Sequence, residues 1–395
     1  MTSSYYEFFC PVKMMAGHSA LENIPFELKS LGAKRPLVIT FKSAKKHGTL
    51  GLLEQVFSAT DMQIAGIFDR VPPDSSLEVV QEIAKYYRHQ GCDSILALGG
   101  GSVIDTAKAV NILVSEGGDD LLQYVGSHHL PKPLKPLFVI PTTSGTGSEV
   151  TMVTVIADKQ RQQKIAVASY YLMPNVAVLD PRMTQTLPAE MTAQTAMDAL
   201  THAIEAYIGL AHNPISDSYA FTAVEKISQN LVPCLDDLEN SNLRLELAQA
   251  STMAGIAFSN SMVGAVHALG HALGAVTDLP HGVCMNLFLP YVLEYNLEHC
   301  RERLARLLLA LAGDEIYSQT PVAQRAEQSI VIIKNLREQL KLKANLPRTL
   351  QETGRVHQAQ FDAIADKALD DGSIIFNQRE LERDDILKLL HKAWE

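Results

Sequence analysis

Two stretches of the chain carry acidic and histidine side chains at the spacing of a metal site. Asp198 and His202 lie four residues apart in a strongly helical stretch, so both project from one helix face. His267 and His271 repeat this spacing, and His281 follows ten residues later, at a turn expected after a proline. Three imidazoles and one carboxylate suit Fe²⁺ or Zn²⁺ better than Mg²⁺ or Ca²⁺. The spacing therefore predicts a site for one of these borderline divalent cations.

The spacing leaves two assignments open. His267 and His271 are interchangeable as ligands, and the one left unbound would be a natural proton carrier, because imidazole titrates near neutral pH. Glu205, three residues beyond His202, either binds the metal or lies just outside its ligands. A single Asp-x-x-x-His pair is more often a surface or capping contact. Four of the five histidines between residues 198 and 281 nevertheless lie among small apolar residues, where an unpartnered polar ring would be costly.

Two glycine-bearing loops in the first half of the chain each follow a buried strand. Gly99–Ser102 lies between an apolar strand over Ser94–Leu98 and a helix, and Pro141–Glu149 follows a strand over Phe138–Ile140. Glycine allows the backbone to approach a ligand, and the free N–H groups at a helix N-terminus bind pyrophosphate. Either loop alone could be a tight turn, and neither has the G-x-G-x-x-G pattern. Two such loops at strand carboxyl ends favour a nucleotide-like ligand.

The elements that would carry these residues divide the chain in two. Short strands such as Pro36–Phe41 and Met62–Phe68 alternate with helices such as Ser76–His89, which is typical of a parallel sheet covered on both faces. Beyond them, long segments with a 3.6-residue period predict helices almost throughout. We expect an α/β dinucleotide-binding domain over residues 1–187 and an all-helical metal-binding and substrate domain over residues 188–395.

Composition excludes several classes of protein. The 395 residues have a net charge of −10, which argues against nucleic acid or an anionic membrane as the main partner. The five cysteines contain no C-x-x-C pair, so neither a disulfide framework nor a thiolate zinc site is indicated. No apolar run approaches the roughly 20 residues that span a bilayer, and the first residues lack a secretory pattern. We expect a soluble, cytoplasmic protein with reduced thiols.

Five segments together resemble the iron-containing, group III alcohol dehydrogenases. They are GGGSVIDTAK (99–108), PTTSGTGSEVT (141–151), LDPRMTQTLP (179–188), MDALTHAIEAY (197–207) and HALGHALG with PHGVCMNLFLPYVLEYN (267–296). They occur in the family order, and a weaker echo follows at Asn377–Arg379. The resemblance implies the dehydroquinate synthase-like fold of that family, with an N-terminal α/β dinucleotide domain and a C-terminal helical domain.

The resemblance also implies roles for individual residues. It assigns the metal, Fe²⁺ or alternatively Zn²⁺, to Asp198, His202, His267 and His281, and it leaves His271 as a catalytic neighbour that helps to relay the proton. NAD or NADP would be held by Phe41, Asp74, Gly100, Gly101, Ser102, Asp105, Thr142, Thr143, Thr146, Lys164 and Leu187. Within that set, the glycine loop would bind the pyrophosphate, Asp74 would lie on the adenine side, and the threonine loop, Lys164 and Leu187 would line the nicotinamide half.

One departure from the family bears on the choice of coenzyme. Members that prefer NAD carry an acidic residue after the first strand, whereas here Thr40 is followed by Phe41 and then by a lysine-rich stretch, Lys42–Lys46. Without a carboxylate to hold the ribose hydroxyls, NADPH becomes an alternative to NADH. The lysines are equally well explained as a solvated turn.

The sequence thus predicts a metal-dependent alcohol dehydrogenase that transfers hydride between NAD(P) and a small alcohol or aldehyde. By analogy with the family, a homodimer or larger homo-oligomer is expected. Two enzymatic alternatives are a hydroxyacid–oxoacid transhydrogenase that retains its cofactor and a glycerol dehydrogenase-like polyol oxidoreductase. An alternative of another class is an assembly protein that has lost catalysis. The absence of bound metal in the purified protein would support this alternative.

Overall fold

The structure, a computed structural model, describes residues 5–159, 161 and 163–395. It contains two compact units. One, called the α/β unit below, comprises Phe9–Thr143 and Gly147–Thr186. The other, called the helical unit, comprises Leu187–Glu395 together with Ser144–Thr146 and residues 5–8.

The α/β unit is built on a six-stranded sheet in which every strand pair is parallel. Its strands are β1 (Lys13–Ala16), β2 (Pro36–Phe41), β3 (Gly66–Val71), β4 (Ser94–Gly99), β6 (Leu137–Pro141) and β9 (Val176–Leu179). The strand order is β1-β9-β6-β4-β2-β3. Its helices are α1 (Ile24–Ser30), α2 (Thr49–Ser58), α3 (Leu77–His89) and α4 (Gly101–Glu116). This architecture confirms the predicted parallel sheet.

Alternating side chains of the central strands enter two separate cores. Ile95 and Ala97 of β4 pack into the core that includes α3 and α4, whereas Leu96 and Leu98 pack into the core that includes α1 and α2. Because successive side chains of a strand point to opposite faces, a strand covered on both sides must be apolar throughout. This requirement explains the uninterrupted apolar run of β4.

The predicted strand over Met62–Phe68 was misplaced, since β3 covers Gly66–Val71 instead. Leu37 pairs with Gly66, and the N–H of Ala65 donates to the carbonyl of Pro36, where β2 begins. Residues before Ala65 therefore have no strand to pair with, although Met62 and Ile64 pack against the core.

Sequence reasoning missed a second, three-stranded sheet in the α/β unit. It consists of β5 (Gly126–Ser127), β7 (Val153–Asp158) and β8 (Gln163–Ala168), in the order β5-β8-β7. The β7 and β8 strands pair antiparallel, so the unit is not purely parallel. Only one side of β7 is buried, as its alternating burial shows, which gives a weaker apolar signal than the runs of the main sheet.

The helical unit confirms the predicted all-helical second half. Its helices are α5 (Ala189–Ile208), α6 (Pro214–Asp236), α7 (Ser241–Ser261), α8 (Ala265–Thr277), α9 (His281–Gln319), α10 (Arg325–Ala344), α11 (Phe361–Leu369) and α12 (Arg383–Trp394). The α9 segment is interrupted by non-helical backbone at Cys300 and Gly313. The expected turn at His281 was wrong, because this residue opens α9 directly after Pro280. In the part of the chain that the structure describes, no helix has the length and apolarity to cross a bilayer.

Two close approaches fix the helices around α5. The buried guanidinium of Arg244 on α7 donates to the carbonyl of Leu187 and the hydroxyl of Thr192, each at 2.7 Å, and so anchors the beginning of α5. The first turn of α9 lies directly against α5, where a Cβ on Gly282 would come within 2.7 Å of the carbonyl carbon of Gln194. A glycine at this point allows the two helices to approach more closely than any other residue would.

Candidate metal centre and cofactor loops

Three helices of the helical unit bring four potential metal ligands together. Asp198 and His202 come from α5, His267 from α8 and His281 from the first position of α9. One donor atom from each residue lies within 4.8 Å of all the others. From Oδ1 of Asp198, the distances are 3.8 Å to Nδ1 of His202, 3.9 Å to Nε2 of His267 and 3.2 Å to Nε2 of His281. The geometry therefore places one carboxylate oxygen close to three imidazole nitrogens.

The donor atoms of this cluster fit a bound cation. Oδ1 of Asp198, Nδ1 of His202 and Nε2 of His267 are buried and form no hydrogen bond, although Nε2 of His281 approaches the carboxylate. A buried polar atom without a partner costs about 1–3 kcal/mol, and native proteins rarely leave several together. A divalent cation would satisfy all three atoms at once, and the donor set is that of Fe²⁺ or Zn²⁺ sites.

The electrostatics of the cluster match what a metal requires of its ligands. Burial raises the pKa of Asp198, but the neighbouring His202, His281 and His267 outweigh burial and lower it overall. Burial lowers the pKa of His202 to about 3 and that of His267 well below its usual value. Burial thus favours neutral imidazoles, the protonation state in which these groups coordinate metal.

Neighbouring groups hold the ligand rings in place. The ring of His202 stacks between the rings of Phe258 and His267. The distances between ring centroids are 4.1 Å to Phe258 and 4.5 Å to His267. On the other side of His267, Nδ1 lies 2.6 Å from Oε2 of Glu205. Burial raises the pKa of Glu205 to about 7, against the opposing effect of backbone N–H groups at Gly264, Val266 and His267. Glu205 therefore lies outside the cluster of donors and contacts one of them.

His271, the predicted proton carrier, lies beside the cluster and not in it. Its side chain is 44% exposed, and its ring stacks on that of His281 with the centroids 5.2 Å apart. Nδ1 of His271 lies 2.8 Å from Oδ2 of Asp371. Burial raises the pKa of Asp371, but the contact with His271 and the hydroxyl and N–H of Ser373 lower it overall. Sequence reasoning missed Asp371, which lies 100 positions from its partner.

The predicted cofactor loops of the α/β unit follow three adjacent strands. In the sheet, β4 lies between β2 and β6, so Phe41, Gly100 and Thr142 all stand at the same carboxyl edge. The N–H of Thr142 donates to the carbonyl of Gly99 at 3.1 Å, which joins the two loops directly. A Cβ on Gly100 would lie 3.1 Å from the hydroxyl oxygen of Thr143. This carboxyl edge is where ligands bind in open α/β sheets.

Other residues of the glycine-loop motif have structural contacts. The carboxylate of Asp105 accepts the N–H of Val155 on β7 at 3.1 Å. The fully buried ammonium of Lys108 donates to the carbonyl of Thr151 at 2.6 Å and to that of Val153 at 3.0 Å. Both side chains thus attach α4 to the beginning of β7, and Gly101 and Ser102 open this helix.

The remaining predicted cofactor residues are distributed over both units. Asp74 and Lys164 of the α/β unit form an exposed ion pair at 2.7 Å, although the resemblance assigns them to opposite halves of the dinucleotide. Thr146 and Leu187 belong to the helical unit. The carbonyl of Leu187 accepts a hydrogen bond from Arg244.

Comparison with known proteins agrees with this geometry. The family model for iron-containing alcohol dehydrogenases matches residues 11–181, and the model for the C-terminal part of the Fe-containing alcohol dehydrogenase family matches residues 192–394. The chain belongs to the iron-containing alcohol dehydrogenase family. As a member of this family, it is an oxidoreductase that acts on CH–OH donors with NAD(P).

Three similar proteins span nearly the whole chain. The sequence is 34% identical to the NAD-dependent methanol dehydrogenase of Bacillus methanolicus, over 98% of this chain and 99% of that protein. It is also 34% identical to the NADPH-dependent butanol dehydrogenase of Clostridium saccharobutylicum, over 97% and 96%. The crystal structure of a 1,3-propanediol oxidoreductase superposes with a TM-score of 0.93 and 33% identity, covering 99% of this chain and 100% of that one.

Proposed function

We propose that this family member is a metal-dependent dehydrogenase that interconverts small primary alcohols and aldehydes, with residues 1–187 binding NAD(P) and residues 188–395 binding metal and substrate. The observation that carries the proposal is the convergence of Asp198, His202, His267 and His281, in which three buried donor atoms lack a hydrogen bond. A catalytically inactive assembly protein would have no need to retain such costly atoms. The relatives that act on methanol, butanol and 1,3-propanediol support small primary alcohols or diols as the substrate class.

The residues of the chain have separable tasks in this reaction. When bound, the cation supplies Lewis acidity toward the substrate oxygen, and the nicotinamide supplies or accepts hydride. Asp198 and the three histidines hold the cation, and the loops at Gly100 and Thr142 bind the dinucleotide. His271 moves the proton. Its Nδ1 contacts Asp371, so Nε2 is the nitrogen that takes up and releases this proton. The exposed ring can then pass this proton to water.

The test combines metal analysis with a substrate panel. Protein purified without oxygen should contain about one Fe²⁺ or Zn²⁺ per chain, and it should oxidise ethanol, butanol or 1,3-propanediol with NAD or NADP. Glycerol as the preferred substrate would support the polyol alternative. Hydride exchange between a hydroxyacid and an oxoacid without added coenzyme would support the transhydrogenase. A protein that neither binds metal nor turns over any alcohol would refute the proposal.

Replacement of His271 by glutamine should separate proton transfer from metal binding. We expect H271Q to keep the metal content of the wild-type protein, since His271 lies outside the donor cluster. Its kcat for alcohol oxidation should fall by about a hundredfold, the lower end of the usual contribution of a general acid–base group. Metal analysis and steady-state kinetics on the same preparation measure both effects. Loss of metal in H271Q would show instead that this ring is a ligand.

The last residue of β2 should set the preference between coenzymes. Phe41 ends this strand, and the exposed Lys42 and Lys45 follow it. Phe41→Asp would add a carboxylate that binds ribose hydroxyls and repels a 2′-phosphate. The ratio of kcat/KM with NADH to that with NADPH should therefore rise at least about tenfold, equivalent to about 1.4 kcal/mol.

A double variant, K42Q/K45Q, decides the role of the lysines. A selective loss of kcat/KM with NADPH would show that they bind the 2′-phosphate. If the variant has the kcat/KM of the wild type with NADH and with NADPH, the lysines form only a solvated turn. An unchanged coenzyme ratio in F41D would contradict the position assigned to Phe41.

We further propose that the protein is a cytoplasmic homodimer or larger homo-oligomer. The edge strand β1 carries Met14, which is 45% exposed, and an edge strand offers unpaired backbone groups to a second copy. All five cysteines are free thiols, as is usual in a reducing compartment. Light scattering should give at least twice the chain mass of 43.3 kDa, and cell fractionation should recover the protein in the cytosol.

A further inference from the structure

Each carboxylate oxygen of the buried Glu205 has a polar contact. This residue lies on α5, is 3% exposed, and faces the N-terminus of α8. Its Oε1 accepts the N–H of Val266 at 2.6 Å, and its Oε2 lies 2.6 Å from Nδ1 of His267. Burial favours the protonated carboxyl group, whereas the positive end of the α8 dipole and the N–H of Val266 favour the ionised form.

An ionised carboxylate can only accept hydrogen bonds, which fixes the tautomer of its partner. When Glu205 is ionised, the proton of His267 lies on Nδ1 and the lone pair lies on Nε2. Nε2 is the buried nitrogen that belongs to the donor cluster and has no hydrogen bond. The opposite tautomer would bury an unpaired N–H there and would bring two lone pairs together at Glu205.

We propose that Glu205 is a positioning residue of the metal centre, which holds His267 in the tautomer and orientation that direct Nε2 toward the cation. The inference rests on the proposed function, because it presupposes that the cluster binds metal. A carboxylate can accept a hydrogen bond from the imidazole nitrogen that does not bind the metal. Such a carboxylate typically raises metal affinity by a factor of about 10–100.

The surroundings of Glu205 restrict its carboxylate to this orientation. A Cβ on Gly264 would lie 3.1 Å from Oε1 of Glu205 and 3.4 Å from Oδ1 of Asn377. The amides of Asn377 and Asn296 exchange two hydrogen bonds of 2.8 Å, which fix that side of the pocket. The absence of a side chain at Gly264 therefore leaves room for the carboxylate in the position that reaches His267.

Replacement of Glu205 by glutamine tests the proposal with little change in volume. If the glutamine oxygen accepts the N–H of Val266, its amide group faces Nδ1 of His267 and donates to it. That contact selects the tautomer with the proton on Nε2, which cannot bind a cation. Titration of the metal-free protein with Zn²⁺ against a competing chelator should show a Kd at least about tenfold above that of the wild type.

The matched control is Asp217→Asn. Asp217 is also a carboxylate of the helical unit that contacts a histidine, with Oδ2 3.3 Å from Nδ1 of His212, but neither residue belongs to the donor cluster. D217N should bind Zn²⁺ as tightly as the wild type. A comparable loss of Zn²⁺ affinity in D217N and E205Q would show a general effect of removing charge and would overturn the proposal. Wild-type Zn²⁺ affinity in E205Q would overturn it as well.

A second variant decides the question if E205Q does not fold. Gly264→Ala keeps the carboxylate but displaces it by a few tenths of an ångström, so its Zn²⁺ affinity should fall by a smaller factor than that of E205Q. Unchanged affinity in a folded G264A would then refute the role of Glu205. If the wild-type protein itself binds neither Zn²⁺ nor Fe²⁺, the proposed function fails. If the wild type and the variants all bind metal with the same affinity, only the role of Glu205 fails.

Discussion

Replacement of His267 by alanine should yield a folded protein that retains no metal and has almost no alcohol dehydrogenase activity. His267 is 2% exposed, stacks on His202 and directs its unpartnered Nε2 at the carboxylate of Asp198. Its removal takes away one of four donors and also leaves Glu205 buried without its imidazole partner. Lewis acidity contributes several kcal/mol to such a reaction, so kcat should fall by about a thousandfold or more.

Metal analysis and alcohol-dependent reduction of NAD(P) on the same H267A preparation measure this effect. His212→Ala is the matched control, because His212 belongs to the same unit but contacts Asp217 instead of the donor cluster. The control should keep both metal and turnover. Full activity in metal-free H267A would refute the assignment of the metal centre.

Replacement of Gly282 by alanine should damage stability and metal binding together. The new methyl group would come within 2.7 Å of the carbonyl carbon of Gln194, and still closer to its oxygen, on the backbone of α5. A backbone cannot rotate away as a side chain can, so α9 must shift away from α5. Overpacking of this kind costs about 3 kcal/mol, and the Tm of a unit of this size should fall by about 10 °C.

The same shift should weaken metal binding, because His281 directly precedes Gly282 at the beginning of α9. Its Nε2 lies 3.2 Å from Oδ1 of Asp198 on α5, so a movement of α9 away from α5 separates these two donor atoms. Differential scanning calorimetry and Zn²⁺ titration test the two effects. Gly274→Ala is the matched control, since its Cβ would have only an ordinary contact, 3.5 Å from the carbonyl oxygen of Leu279. In that helix interior, alanine should be neutral or stabilising by up to about 1 kcal/mol. Equal Tm values for G282A and the wild type would contradict the close packing of α9 on α5.

Local patterns in the sequence determined the parts of the fold that depend on neighbouring residues. A helix places positions four apart on one face, so Asp198 and His202 could be paired without knowledge of any other element. The period of the apolar residues separated the α/β unit from the helical unit. Strand limits were less certain, as the misplaced β3 shows, because a strand extends only as far as its neighbour allows.

The tertiary structure alone decided what distinguishes His267 from His271. These residues have the same spacing from each other as Asp198 from His202, and the sequence by itself left them interchangeable; only the family resemblance favoured one. In the structure, His267 is buried against α5 and bonded to Glu205, whereas His271 is exposed and bonded to Asp371. Both carboxylates lie more than 60 positions from their partners. Such contacts depend on how separate helices pack, and a short periodic pattern carries no information about that packing.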